Sequence, residues 1–89
     1  MEQEPDLNGF RLFLQENERS ENTIRSYLHA VIDYFAVHSK LTKQGVIEWK
    51  AELSRKYSAS TVNLRLNAIR RYAEFKETLI PIRLMKVQR

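Results

Sequence analysis

The chain has 89 residues, 43% hydrophobic and 29% charged, with a net charge of +4, enough for one globular domain and no more. It has no cysteine, which excludes disulfide frameworks, thiolate metal sites and Cys nucleophiles, and no apolar run approaches the length of a membrane span. The acidic start Met1-Glu2-Gln3-Glu4-Pro5-Asp6 is the reverse of a secretory leader, so a cytoplasmic location is the expectation.

Two Gly and two Pro in the whole chain argue for long helices over many short strands. The first runs from about Leu7 to Asn17, with Leu7, Phe10 and Leu14 on one face at three- and four-residue steps and Phe13 widening it. The second opens on Ser20 as N-cap, with Glu21 favouring the positive end of the helix dipole. It continues to about His38, with Ile24, Tyr27, Leu28, Val31, Tyr34 and Phe35 on one broad apolar face.

Thr42 caps the third helix, whose stripe is Val46, Trp49 and Leu53; Gly45 in its first turn costs about 1 kcal/mol against Ala and has no local reason to be there. The fourth follows Tyr57-Ser58-Ala59-Ser60, with Val62, Leu66, Ile69 and Ala73 as a narrow stripe widened by Tyr72. Helix-forming residues reach about Thr78, and Pro81 stops them. Residues 82–89 hold three basic side chains and no acid, and read as a tail or a cut linker. All four tyrosines are assigned to core packing. The architecture is all-α, four helices around one core.

The charge is uneven. Residues 1–36 carry three basic and seven acidic side chains, residues 37–89 twelve and four, so a half at −4 precedes a half at +8. Such a basic half suits a polyanion, or only a solvated surface.

No catalytic constellation can be assembled. His29 and His38 lack metal-spaced carboxylates, Gly9 and Gly45 are isolated, and Glu16 and Glu18 point to different sides of a helix end. No metal site and no cofactor is expected.

Two runs carry more. Glu18-Arg19-Ser20-Glu21-Asn22-Thr23-Ile24-Arg25-Ser26-Tyr27, followed by Leu28 and then by Phe35, resembles the opening of the core-binding domain of tyrosine recombinases of the phage-integrase type, where the family reads S-x-N-T-x-x-x-Y-x-x-x-L/I-x-x-F. The run from Ser58 to Tyr72 is similar to the family's S-x-x-T-x-x-x-x-L-x-A-I/L-R-x-F/Y helix. Either alone is weak; together, in order and with Leu41-Thr42 and Val46 between them, they are specific over about residues 7–78. The resemblance implies a SAM-like orthogonal bundle of four to five helices. It would clamp duplex DNA through the major groove, opposite a catalytic domain that follows in the parent recombinase and supplies the cleavage residues. Residues 1–80 are then the core-binding domain and 81–89 a truncated linker. The fragment itself is not an enzyme, and Tyr27 and Tyr72 are not nucleophiles. Its partners are duplex DNA, the catalytic domain of the same chain and other recombinase protomers on DNA.

The resemblance also implies which residues meet DNA. On the second helix these are Asn22, Thr23, Arg25, Ser26 and His29, near an N-terminus whose backbone N–H groups favour phosphate. On the fourth they are Ser60, Thr61 and Arg65, on a side shared with Leu64 and Ala68, with Arg70 and Arg71 further along. Each has a structural alternative: Ser20, Ser60 and Thr61 as caps, Arg25 and Arg65 as solvated side chains, Arg70 and Arg71 as partners of Glu74 or Glu77. Asp33, repelled by phosphate, marks where the second helix's DNA face ends. Two rivals stand beside this reading. One is a SAM-like protein-interaction module. The other is a helix-turn-helix regulator, disfavoured because the connection at Ser58 joins long segments with basic residues spread over both.

Overall fold

The computed structural model describes residues 5–17 and 19–85. Glu18, the acidic start Met1–Glu4 and the last four residues, 86–89, lie outside the described residues. Four helices carry the described chain: α1 (Leu7–Glu16), α2 (Glu21–Val37), α3 (Lys43–Lys56) and α4 (Ala59–Phe75). Helix α4 packs against each of the other three, most extensively against α2.

The apolar stripes meet as their spacing predicts. Phe10, Leu14, Ile24, Val31, Tyr34, Val62, Leu66 and Ile69 are fully enclosed, which removes from water the surface that drives a small domain to fold. Aromatic edges knit the helices. The rings of Phe10 and Tyr72 meet at 5.2 Å and 89°, and Phe35 meets Tyr72 at 5.6 Å. The Tyr72 hydroxyl also accepts from the Asp6 backbone N–H at 3.1 Å, tying the start of α1 to the end of α4.

Gly45 has a tertiary explanation. Tyr34 is fully buried, its hydroxyl donating to Lys40 O at 2.8 Å and accepting from Thr42 N–H at 3.4 Å. That phenol closes the α2–α3 connection from inside. A Cβ on residue 45 would collide with the Tyr34 hydroxyl, so the glycine's helix penalty is the cost of letting α3 start against the ring. Burial raises the Tyr34 pKa above its ordinary 10.0, because desolvation penalises the phenolate. The raised pKa means the folded state holds this proton more tightly than the unfolded chain does. The stabilisation is therefore complete below the unfolded value near pH 10 and is lost as pH rises through the folded one. Alkaline titration of melting temperature checks this: Tyr34→Phe flattens the fall above pH 10.

Several local expectations shift. The N-cap of α4 is Ser58, accepting from Thr61 N–H, so Ser60 and Thr61 are not the cap and the α3–α4 connection is only Tyr57 and Ser58. Tyr57 is 41% exposed, the one tyrosine outside the core.

Helix α4 also stops at Phe75, three residues before the expected end. Glu77 adopts φ 54°, and the bonds Thr78 N–H to Ala73 O and Glu77 N–H to Glu74 O make a Schellman turn. Glycine is the usual residue at that left-handed position. Glu77→Gly should therefore stabilise the domain by about 0.5–1 kcal/mol, read as a melting temperature several degrees higher.

Beyond the turn the chain does not trail away. Residues 79–85 run back along α4 towards its N-terminal half. Asn63 grips Met85 twice, donating to its O at 2.8 Å and accepting from its N–H at 2.7 Å, and the Lys50 ammonium donates to Arg83 O at 2.7 Å. Ile82, Leu84 and Met85 pack onto the core. The described part of the expected tail is thus docked against α3 and α4.

Candidate nucleic-acid interface

Helices α2 and α4 begin in the same way, with Ser-x-x-Thr. The Ser20 hydroxyl accepts from Thr23 N–H at 3.2 Å and donates to Thr23 Oγ1 at 2.9 Å. Ser58 repeats this with Thr61 at 3.4 and 3.3 Å. Both threonines are therefore engaged in caps and half-buried, which leaves their hydroxyls less available than expected.

The rest of the α2 set forms one exposed stripe. Asn22, Ser26 and His29 fall within about 60° of one another at about 100° per residue, with Arg25 about 40° beyond His29. All four are exposed. Asp33 continues the stripe one turn past His29, also exposed.

On α4 the decisive side chain is Arg65. Its guanidinium lies over the Tyr57 ring, 4.9 Å from the centroid, and 3.8 Å from Asp33 Oδ2. The same carboxylate oxygen accepts from Trp49 Nε1 at 3.1 Å. One acid on α2 thereby links α3 and α4, and Arg65 is placed beside the α2 stripe. Its side chain is 27% exposed, less than the alternative of a merely solvated side chain requires. The ion pair at this distance and exposure contributes little. The stacking adds about 0.5–1 kcal/mol, enough to restrict where the head points while its charge stays reachable.

A family model for the phage integrase N-terminal SAM-like domain matches residues 7–78. The chain belongs to that family. A search of curated proteins gave no match. The matched integrase domain is the non-catalytic one, and its span takes in all four helices and the Schellman turn. Among the described residues no helix is long and apolar enough to cross a membrane, and no cluster could hold a metal ion.

The integrase domain does not gather all ten expected contact residues. Ala68, expected on the same side of α4 as Arg65, is fully buried, so that side closes after Arg65. Arg70 is turned about 140° and Arg71 about 120° from Arg65 around α4. Both Glu74 oxygens accept from Arg71 Nη1, at 2.9 and 3.0 Å, the pairing that sequence spacing allowed. Ser60 is exposed, about 140° from Arg65. Tyr57, read from the sequence as core, and Asp33, read only as the boundary of the α2 face, gain their link to Arg65 from partners 8 and 32 positions away. No motif announces such pairs.

Proposed function

We propose that this integrase-family domain is the DNA-binding arm of a tyrosine recombinase, seated on duplex DNA through the major groove. The parent chain carries the catalytic domain that cuts the strand, and the complex forms in the cytoplasm with other recombinase protomers. The observation that carries the reading is Arg65, held by Tyr57 and Asp33 beside the exposed α2 stripe. That arrangement sets a fixed cation next to Asn22, Arg25, Ser26 and His29, side chains able to reach phosphates and base edges. The Thr23 and Thr61 N–H groups are taken by their serine caps, so at the two helix starts the uncapped backbone N–H groups, Ser60's among them, remain for phosphate; Arg70 and Arg71 contribute at most to the long-range field. Family membership favours this over a regulator or an interaction module.

A gel shift on duplex DNA across salt concentrations tests it. About three to five phosphate contacts give a log–log slope of about −0.9 per contact, and at least a tenfold loss between about 50 and 200 mM salt. Affinity independent of salt, or no binding at all, removes the reading. The same titration on supercoiled plasmid should produce neither relaxation nor a covalent adduct.

A further inference from the structure

On the side of α4 turned away from Arg65, a cleft of about 860 Å³ opens between α3, α4 and the returning segment 78–83. Its floor is apolar, with Val46, Ala73 and Ile82, while Lys43, Arg70 and Arg83 stand around it. We propose that this cleft docks an acidic amphipathic peptide segment of a partner protein, apolar side chains on the floor and carboxylates on the three cations. The proposal is independent of the DNA-binding reading.

Charge complementarity names the occupant. Glu74 is the one acid among the cleft's lining residues, and Arg71, on its other flank, engages both its oxygens. Lys43, Arg70 and Arg83 make no ion pair among the described residues. An uncompensated cationic rim asks for an anion.

The floor decides which kind. A DNA backbone would satisfy the rim but leave the apolar floor wet, whereas a peptide with its apolar side chains at i, i+3, i+4 and i+7 covers both. Ile47, half-exposed, extends the floor outwards and Leu79, almost wholly exposed, stands at the mouth. The wall is secured too: the paired Asn63–Met85 bonds and the Lys50–Arg83 bond hold the returning segment in place. Arg70, about 140° from Arg65 around α4, can serve this cleft while the opposite face is occupied.

The test uses the 89-residue chain and a short synthetic peptide with Leu at helical spacing and Glu elsewhere. A Lys-for-Glu version of the peptide and a DNA duplex serve as comparisons. Anisotropy should show binding of the Glu peptide and none of the Lys peptide. Amide shifts should concentrate at Ile47, Ala73 and Ile82. The double variant Lys43→Glu/Arg70→Glu, its fold checked by circular dichroism, should lose roughly tenfold or more in peptide affinity. Arg55→Glu, the charge reversal away from the cleft, should lose almost none. Three results overturn the proposal: no binding of the Glu peptide, equal loss in Arg55→Glu, or a duplex that displaces the peptide and shifts the same cleft amides. Failure of the peptide with salt-dependent DNA binding intact would remove the cleft proposal alone.

Discussion

Trp49→Ala is expected to unfold the domain or lower its melting temperature by more than about 10 °C. The indole is 3% exposed, meets the Tyr34 ring edge-on at 5.4 Å and 87°, and donates to Asp33 at 3.1 Å. Truncating a buried aromatic of this size costs about 3–5 kcal/mol, and domains this small have a total stability near the low end of about 5–15 kcal/mol. At roughly 4–8 °C per kcal/mol, thermal melting followed by circular dichroism reads the loss directly. Trp49→Phe keeps most of the packing but frees Asp33, so it should melt between the two. A stable Trp49→Ala that only lost DNA affinity would mean the indole is a stacking platform and not core.

The second large effect concerns the arginines. Arg25→Ala and Arg65→Ala should each weaken duplex binding by about 1–3 kcal/mol where the head reaches a base, and less and more uniformly where it meets only phosphate. Their stabilities should differ. Arg25 is exposed with no ion pair among the described residues, so its loss stays within about 0.5 kcal/mol. Arg65 gives up its stacking on Tyr57 and the packing of its stem, and so costs about 0.5–1.5 kcal/mol. Glu16→Ala, on α1, is the control that leaves binding unweakened. If both arginine variants bind like the parent while Arg83→Ala abolishes binding, the DNA lies along the returning segment and the α2–α4 face is wrong.

The caps divide instructively. Ser20 and Thr42 were legible because each immediately precedes an apolar period and accepts from the N–H three residues on. Ser58 was not singled out, since Ser60 and Thr61 offer the same chemistry two and three residues later. Only the path of the chain out of Leu53 and Tyr57 selects among the three. The end of α4 was missed for a related reason. None of Lys76, Glu77 and Thr78 is a Gly or Pro breaker, and a glutamate takes the position where glycine would have announced the stop.

The sequence by itself determined four helices, the faces they bury and the core place of Trp49, because a period of 3.6 residues records burial within one element. It also determined the family, through two runs that keep their order and separation. The tertiary structure alone decided which polar residues act together. Arg65 meets Asp33 across 32 residues, Asn63 holds Met85 across 22, and Gly45 makes room for Tyr34 across 11. Such pairs follow from how the helices cross and where the chain turns back, and helical periodicity carries no record of either. The same limit scattered the α4 arginines. Arg65, Arg70 and Arg71 look like one basic patch in sequence, yet about 100° of rotation per residue sends them to three sides of the helix, and only the packed bundle shows what each side meets.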